Sequence, residues 1–307
     1  MGRRKKIIVV GLPLFAAKFA SEFSHYTKEY RILALDTYYS KLDKLRFLIE
    51  VQNADLIFSI NGSLTKSTVF DLAIKKQVPI IMNWVGTDVL KAVKAYNEGS
   101  YIKQYISSSI HFCEVNWIKN ELKEIGVNAE VCNFASFDKT FRPDKLNNKR
   151  LKVLSYIPDN RSEFYGIETL INLATKFSNV DFVIAGGVFD GFDLPNNIAP
   201  LGWVNDMDKL YSEIDVCIRY TNHDGLSNFV LEGLARGKQV LYNNDFPNCF
   251  YSPDQEVLVN NLSDILDRFD KNEDLTNYLG MSFIQENFSK KVIFDNLILK
   301  IRNAIGK

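Results

Sequence analysis

The residues best suited to chemistry lie in the segment Asp215–Asn244. An apolar run ends near Tyr220 and a polar loop follows. A helix is predicted to begin at Ser227 or Asn228, because both are good N-cap residues. Gly225 lets a ligand approach the backbone closely. Free N–H groups and the helix dipole suit such a terminus to an anion such as phosphate. An ordinary capped helix accounts for the same residues, and the pattern alone leaves both interpretations open.

Two acidic residues accompany this helix start: Asp224 lies in the loop, and Glu232 lies about one turn inside the helix. Glu232 can face the same ligand, or it can serve only to stabilise the early turns. Another acidic pair, Asp206 and Asp208, matches the D-x-D pattern of some metal sites. Because this pair opens a predicted helix, a capping role is favoured over metal binding.

These residues need a scaffold, and short apolar runs alternate with helical patterns along the chain. In the first half the predicted strands are Ile7–Val10, Arg31–Leu35, Leu56–Ile60, Val78–Met82, Ile110–Cys113 and Ala129–Asn133. The predicted helices between them are Ala16–Tyr26, Leu42–Gln52, Thr68–Lys76, Asp88–Glu98 and Asn116–Glu124. The alternation predicts βαβ units that build a parallel sheet with helices on both faces.

A charged segment at 142–150 predicts a linker, after which the pattern restarts. The second half has predicted strands at Leu151–Tyr156, Val180–Ala185, Asp215–Tyr220 and Gln239–Tyr242, and helices at Gly166–Phe177, Met207–Glu213 and Asn228–Arg236. We therefore expect an α/β chain of two tandem doubly wound, Rossmann-like domains, 1–145 and 150–288, which bind ligands in a cleft between them at the carboxyl ends of the strands. The amphipathic segment Lys290–Ile305, within 289–307, predicts a helix that crosses back to the first domain or caps the second.

Composition limits the class of protein. The chain has 307 residues, of which 46% are hydrophobic and 24% charged, so wholesale disorder is excluded. No apolar stretch reaches the roughly 18 residues that span a bilayer. The basic start followed by apolar residues has the outline of a signal peptide, but β-branched residues stopped by Gly11 and Pro13 favour a buried first strand. The four cysteines form no C-x-x-C pair, which predicts reduced thiols in a cytoplasmic protein rather than a metal site or disulfides.

Charge is distributed unevenly, although the net charge is zero. The first 150 residues hold 23 of the 37 Lys and Arg but 15 of the 37 Asp and Glu, a surplus of eight positive charges. The surplus can be chance, or it can indicate peripheral contact with an anionic membrane, at its inner face, or with an anionic acceptor. The run Arg3-Arg4-Lys5-Lys6 is short enough to be a solvated tail, and nucleic acid is not expected as a partner. The chain has no Walker A, G-x-G-x-x-G or G-x-S-x-G motif, which argues against P-loop NTPases, dinucleotide dehydrogenases and α/β-hydrolases.

The segment Asp215–Asn244 resembles the signature of retaining GT-B glycosyltransferases of the group-1/family-4 type. That signature is E-x7-E followed by a helix of small residues and G-x-P-V. Here the pattern is Asp224-x7-Glu232 and then Gly233–Val240. Other parts of the chain resemble further family motifs: Leu201-Gly202-Trp203-Val204 the run before the signature, Trp84-Val85-Gly86-Thr87-Asp88 the HxGxD-like loop, and Phe137-Asp138 with Phe141-Arg142-Pro143 the inter-domain hinge.

The resemblance implies a GT-B hexosyltransferase in polysaccharide biosynthesis. It would transfer a sugar from a UDP- or GDP-linked donor to a hydroxyl acceptor, such as a glycan or a lipid-linked saccharide, with retention of configuration and without a cofactor or an obligatory metal. The resemblance implies that Asp88, Arg161 and Asp224 are catalytic, with Arg161 neutralising the leaving diphosphate. The implied donor-binding residues are Gly11, Arg161, Gly186, Trp203, Val204, Asp224, Gly225, Leu226, Ser227, Asn228 and Glu232, with the 225–228 N–H groups on phosphate, Glu232 on ribose and Trp203 and Val204 beside the nucleobase.

The sequence departs from the family pattern in three places. The first signature acid is Asp rather than Glu, Trp84 replaces the loop His, and Tyr165 stands where the family has a Lys. One of two usual diphosphate cations is therefore missing, so that Arg161 serves alone or with Arg236 or Lys238. This loss supports an alternative, a non-catalytic nucleotide-sugar-binding partner or regulator of an active glycosyltransferase.

Overall fold

The computed structural model describes residues 3–137, 140–143 and 148–306. The chain divides into two compact units. The first comprises the residues up to Ala135 together with those from Lys290 onward, and the second is Ser136–Ser289. Each unit is built on one parallel six-stranded sheet, which confirms the predicted α/β class.

In the first unit the sheet order is β2-β1-β3-β4-β5-β6. Its strands are β1 (Lys5–Gly11), β2 (Tyr30–Ala34), β3 (Leu56–Ile60), β4 (Ile80–Trp84), β5 (Ser109–Cys113) and β6 (Ala129–Val131). The helices that follow them are α1 (Pro13–Tyr26), α2 (Lys41–Glu50), α3 (Thr68–Lys75), α4 (Thr87–Asn97), α5 (Lys103–Ser107) and α6 (Asn116–Glu124). The strand order reverses between β1 and β3, and such a reversal is where open α/β sheets bind ligands.

Strand β1 explains the apolar run near the start of the sequence. Its residues from Lys6 to Gly11 are buried, and Ile7 pairs with Ile32 on one side and Leu56 on the other. A strand covered on both faces favours β-branched residues, which this run supplies. The basic run was expected to be a solvated tail, but Lys6 is buried and its Nζ donates to the Glu50 carboxylate at 2.9 Å.

In the second unit the sheet order is β12-β11-β10-β7-β8-β9. Its strands are β7 (Lys152–Tyr156), β8 (Asp181–Ala185), β9 (Ile198–Pro200), β10 (Val216–Arg219), β11 (Gln239–Tyr242) and β12 (Phe250–Tyr251). Its helices are α7 (Ile167–Lys176), α8 (Met207–Tyr211), α9 (Asn228–Ala235), α10 (Gln255–Asp270) and α11 (Tyr278–Asn287). Here the order reverses between β7 and β10.

The helix α12 (Lys290–Ile305) belongs to the first unit. The buried ring of Phe294 meets the rings of Phe23 and Tyr26 on α1 at centroid distances of 5.3 and 5.2 Å. The Tyr26 hydroxyl donates to Asp295 at 2.6 Å. The apolar face of α12 is therefore a core surface of the first unit. Among the residues the structure describes, no helix has the length and apolarity needed to cross a bilayer.

The two ends of the second unit run side by side. The N–H of Phe137 donates to the carbonyl of Phe288 at 2.8 Å, and Phe137 forms a parallel bridge with Ser289. Asp138 and part of the expected linker at 142–150 lie outside the described residues.

Candidate functional site

The carboxyl ends of β7 and β10 carry the candidate site of the second unit. Two arginines lie there: Arg161 ends a 3-10 turn after β7, and Arg219 is the last residue of β10. The loops are joined, because the N–H of Asn222 donates to the carbonyl of Phe164 at 3.0 Å. Strand order reverses between these two strands, so the loops border the crevice that doubly wound sheets use for ligands.

The helix start after β10 leaves backbone donors for an anion. Helix α9 begins at Asn228, and the N-cap residue Ser227 makes no side-chain capping bond. The N–H of Leu231 donates to the carbonyl of the N-cap residue Ser227 at 3.1 Å, which is the bond that closes the first turn. The preceding N–H groups have no acceptor within the helix, and no acidic residue lies in the first turn to occupy them. The first N–H groups of α9 thus have no helical acceptor, and phosphate binding at 225–228 stays a prediction.

Asp224 is held by an ion pair that the sequence did not suggest. Its Oδ2 lies 2.7 Å from Nε of Arg219 and 3.3 Å from the hydroxyl of Tyr242, which also donates to the carbonyl of Gly225 at 3.1 Å. Burial opposes the charge of Arg219, but the Asp224 carboxylate outweighs it and raises the pKa of Arg219 above its ordinary value. Burial, followed by the charge of Asp224, raises the pKa of Tyr242, so this hydroxyl keeps its proton and donates it.

Tyr165 lies between the two arginines. The guanidinium carbon of Arg219 lies 4.6 Å from the centroid of the Tyr165 ring, and that of Arg161 lies 5.5 Å from it and 4.1 Å from the Phe164 ring. A cation over an aromatic face is stabilised by the ring quadrupole. The position at which the family Lys is missing is therefore flanked by two cations, of which the sequence analysis had named one.

The sequence contained a signal for Arg219 that was missed. Arg219 lies next to the end of the run Asp215–Tyr220, which was predicted to be a strand, and an arginine that a central strand buries requires a partner. Asp224, five positions later, is close enough for a turn to bring it back. An arginine at the carboxyl end of a central strand, followed by an acid in the next loop, is a pattern that can be sought in a sequence.

Arg236 and Lys238, the other cations considered for the diphosphate, lie at the opposite end of the sheet. Arg236 follows the carboxyl end of α9, where it pairs with Asp208 and stacks on Tyr211 at 4.5 Å. Lys238 precedes β11, whose first residue pairs with the first residue of β10. Neither lies at the strand ends that hold Arg161 and Arg219.

The acids of the D-x-D pattern have protein partners. Asp206 caps α8 by accepting a bond from the N–H of Lys209 at 2.9 Å, as the capping interpretation expects. Asp208 pairs with Arg236. Across residues 3–137, 140–143 and 148–306, no group of three or more His, Cys, Asp or Glu is arranged to hold a metal ion.

The other predicted donor residues of this unit occupy the neighbouring strand ends. Gly186 follows β8 with a φ of +109°, and its N–H donates to the carbonyl of Gly202 at 2.7 Å. A Cβ on Gly186 would lie 2.9 Å from the Tyr156 ring, so the position has no space for a side chain. Trp203, next in the chain to Gly202, is 76% exposed and offers an open ring face, while Val204 is half-buried.

Glu232 lies inside α9 as predicted, and it is half-buried. It faces the fully buried Tyr211 of α8, whose pKa is raised first by burial and then by nearby charges that include Glu232. Its role at the ribose stays a prediction.

The two predicted site residues of the first unit lie at the carboxyl ends of β1 and β4. Gly11 ends β1 with a φ of +104°, and a Cβ there would lie 2.2 Å from the carbonyl oxygen of Ile60. Only glycine lets β1 and β3 approach this closely. Gly11 and Asp88 line one cavity of this unit.

Asp88 is a buried anchor for two loops. Its carboxylate accepts bonds from the N–H groups of Gly62 at 2.7 Å, Gly86 at 2.8 Å, and Val85 and Val89 at 3.1 Å. Burial raises the pKa of Asp88, and these backbone donors oppose the rise. These bonds give Asp88 a structural role, because its carboxylate holds the two loops together. Its catalytic role stays a prediction.

Trp84, in place of the family His, is part of the core. Its ring is fully buried, and its N–H donates to Nδ1 of His111 at 3.2 Å. A Cβ on Gly62 would lie 2.1 Å from the Trp84 ring, so the indole fills the space that a side chain at this position would need. Trp84 therefore has a packing role at the end of β4.

Comparison with solved structures identifies the fold. The chain is similar to a glycosyltransferase from Rickettsia africae, with 13% identity over 99% of each chain and a TM-score of 0.73. It is also similar to Alr3699/HepE from Anabaena in complex with UDP and glucose, with 12% identity, 97% of this chain, 100% of that chain and a TM-score of 0.70. Sucrose-phosphate synthase from Thermosynechococcus elongatus is 13% identical over 99% of this chain and 100% of the other, with a TM-score of 0.69. No family model and no curated protein matches the chain. The likeness shows the two-domain GT-B fold.

Proposed function

We propose that this chain is a glycosyltransferase that transfers a sugar from a UDP- or GDP-linked donor to a hydroxyl acceptor with retention of configuration. The observation that carries the proposal is the pair of guanidinium groups, Arg161 and Arg219, beside the helix start at 225–228. Positive groups and backbone donors at one place stabilise a nucleotide diphosphate, and this arrangement supplies both. The fold, which HepE and other nucleotide-sugar enzymes share, supports the same conclusion.

The central problem of glycosyl transfer is the charge that develops on the leaving diphosphate. In the proposed reaction the bond from the anomeric carbon to the diphosphate oxygen breaks, and the acceptor oxygen bonds to the same carbon on the same face. The acceptor proton passes to an oxygen of the departing phosphate. Arg161, Arg219 and the α9 N–H groups offset the negative charge as it forms, and such preorganised groups are the largest contribution in comparable sites. The chain's own cations thus do what the proposal requires without a cofactor or an obligatory metal.

The remaining donor contacts follow from the predicted roles. Asp224 contacts the hydroxyls of the donor sugar, and its bond to Arg219 sets where that guanidinium lies. Glu232 binds the ribose, and the exposed ring of Trp203, with Val204, borders the base. Gly186 lets the donor approach the end of β8. Gly11 and Asp88 of the first unit serve the donor sugar and the acceptor.

We also propose that the protein works in the cytoplasm, at the inner face of a membrane when its acceptor is lipid-linked. The free cysteines Cys113, Cys132 and Cys217 are buried, as suits thiols in a reducing compartment.

Nucleotide binding is the first test. Purified protein is screened by thermal shift with UDP, GDP, ADP, CMP and dTDP, because a ligand that binds the folded state raises the melting temperature by mass action. We expect one diphosphate to raise it clearly, and the corresponding sugar donor to release that diphosphate during transfer or hydrolysis. Arg161→Ala should abolish the release, whereas Arg268→Ala, which removes a half-buried arginine paired with Glu273, should leave it unchanged. No shift with any diphosphate would contradict the proposal.

The alternative is a binding partner or regulator that holds a nucleotide sugar without turnover. This alternative was supported by the absence of the family Lys at Tyr165. The guanidinium of Arg219 beside Tyr165 weakens that support, because it supplies a positive charge at this position. The variants separate the two functions. The alternative is favoured if the wild-type protein shows no transfer and Asp224→Asn and Arg161→Ala weaken its nucleotide binding.

A further inference from the structure

The first unit contains a cavity of about 1040 Å³ at the point where its strand order reverses. Gly11 at the end of β1 and Asn61 after β3 line it at the sheet edge. Helix α2 lines one part of it, and the loop that leads into α3 lines another. A cavity of this size at this point of an open α/β sheet is where a ligand is expected to bind.

The cavity is strongly basic. Four lysines line it: Lys41, Lys44, Lys66 and Lys91. Within the described part of the chain none of these four forms an ion pair, and Lys44 donates only to the carbonyl of Tyr38, at 3.0 Å. The carboxylate that lines the cavity is Asp88, whose oxygens already accept backbone N–H groups. The uncompensated charge makes the cavity attractive to an anion.

Backbone and hydroxyl donors lie beside the lysines. The loop residues Ser63, Thr65 and Ser67 line the cavity ahead of α3. Ser67 is the N-cap of α3 and makes no side-chain capping bond, so the first N–H groups of the helix have no acceptor within it. Phosphate oxygens accept bonds from such donors, and a lysine supplies the countercharge.

Apolar side chains line the same cavity, and α2 carries further exposed apolar residues. Leu45 and Leu48 of α2 and Val69 and Phe70 of α3 line it. Leu45 is 60% exposed, and Leu42 and Ile49 on the same helix are 74% and 71% exposed. A surface helix that presents leucines beside lysines is typical of contact with lipid chains under anionic head groups.

We propose that this cavity binds a phosphate-bearing lipid: the four lysines and the α3 donors hold its phosphate or diphosphate, and the apolar side chains of α2 and α3 hold its chain. The inference rests on the proposed function in one respect, since the lipid is then the carrier of the sugar acceptor. Charge complementarity selects an anionic head, and the apolar wall selects a chain rather than a free phosphate. The basis for lipid contact is thus α2, not the basic start of the chain or α12.

Calorimetric titration of the full chain tests the inference with three probes: farnesyl diphosphate, inorganic pyrophosphate and farnesol. Farnesyl diphosphate should bind about a hundredfold more tightly than pyrophosphate, because burial of several methylene groups adds to the same charge contacts. The variant Lys66→Gln/Lys91→Gln should weaken binding of both diphosphates about tenfold. The variant Leu45→Ser/Leu48→Ser should weaken only farnesyl diphosphate, towards the affinity of pyrophosphate. These four side chains are exposed, so the variants are expected to fold.

Lys75→Gln/Lys76→Gln is the matched control, because both lysines are exposed at the other end of α3. It should leave all three affinities unchanged. Equal affinity for farnesyl diphosphate and pyrophosphate would overturn the lipid inference, and so would binding that the Lys66/Lys91 variant does not alter. Donor binding is measured separately with the nucleotide diphosphates. Lipid binding without nucleotide binding would contradict the proposed function alone, and the reverse result would contradict this inference alone.

Discussion

Arg219 shows how one side chain changes the interpretation of a motif. With Tyr165 in place of the family Lys, the sequence suggests a weakened diphosphate site. In the folded chain the ring of Tyr165 supports a guanidinium that comes from the neighbouring strand. The Asp that replaces the first signature Glu bonds this guanidinium through Oδ2. The two departures are therefore connected. We infer that together they position Arg219 to supply the positive charge that the family Lys would supply.

Removing Arg219 should affect stability and turnover in separable ways. Arg219→Met leaves Asp224 without its ion-pair partner, and loss of one partner of a buried pair costs about 3–5 kcal/mol. Turnover should fall about a hundredfold, as when one transition-state donor is lost. The double variant Arg219→Met/Asp224→Asn should regain much of the melting temperature but none of the turnover.

Calorimetry and the rate of diphosphate release measure these two effects. Arg268→Met is the matched control, since its pair with Glu273 is exposed and contributes about 0–1 kcal/mol. The double variant is compared with Asp224→Asn, which alone should lower turnover, and equal turnover in these two variants would show that Arg219 has only a structural role.

The buried Lys6 predicts a pH dependence. The hydrogen bond from Lys6 lowers the pKa of Glu50 below 4.5. A lowered folded pKa means that the pair stabilises the protein above the unfolded pKa and that this stability is lost as the pH falls through the folded value. The melting temperature of Glu50→Gln should therefore lie below that of the wild type at about pH 6, and the difference should shrink towards about pH 3. A difference that is constant over this range would contradict the prediction.

At the scale of elements, the site depends on contacts between loops that leave adjacent strands. Gly166, before α7, has a φ of +76°, and a Cβ there would lie 2.4 Å from the carbonyl oxygen of Tyr220. The loop that carries Arg161 thus packs directly on the backbone that follows Arg219. This contact and the bond from the N–H of Asn222 to the carbonyl of Phe164 fix the distance between the two loops.

Gly166→Ala is expected to be much more costly than Gly126→Ala. The two glycines have φ values of +76° and +78°, but no atom lies within 4 Å of a Cβ on Gly126. The left-handed conformation costs each variant about 1–2 kcal/mol. At Gly166 the steric clash adds about 1–3 kcal/mol and moves the backbone beside Arg219. Denaturant unfolding measures both costs, and nucleotide affinity should fall in Gly166→Ala alone. Equal costs would show that Tyr220 moves freely.

The sequence predicted many of the elements but missed the helices Gln255–Asp270 and Tyr278–Asn287 and the shortest strands. The strand Leu56–Ile60 and the helix Asn116–Glu124 occur with the predicted bounds, because a fully apolar run and a strong helical period are local signals. The edge strands Ile198–Pro200 and Phe250–Tyr251 were not predicted, since two or three residues show no period. The bond from Lys6 to Glu50 and the stacking of Arg219 on Tyr165 join residues far apart in the sequence, which no local pattern encodes.

For the whole molecule, the position of α12 makes the first unit discontinuous in sequence. Phe294→Ala should destabilise the protein by about 3–5 kcal/mol, because it opens a cavity against Phe23 and Tyr26. Leu299→Ala, on the same helix but 57% exposed, should change the free energy of unfolding by no more than about 0.5 kcal/mol. Chemical denaturation measures both. A small effect of Phe294→Ala would show that α12 is dispensable to the first unit.

The same discontinuity sets an order of assembly during synthesis. Residues of the second unit form an uninterrupted segment whose two ends meet at Phe137 and Phe288, so all its contacts are available once residue 289 leaves the ribosome. The first unit has its strands earlier in the chain, yet Phe23 gains its contact with Phe294 only when α12 has been made. The domain that is translated second is therefore the first that can finish folding, and the earlier one waits with an uncovered aromatic surface that chaperones can bind.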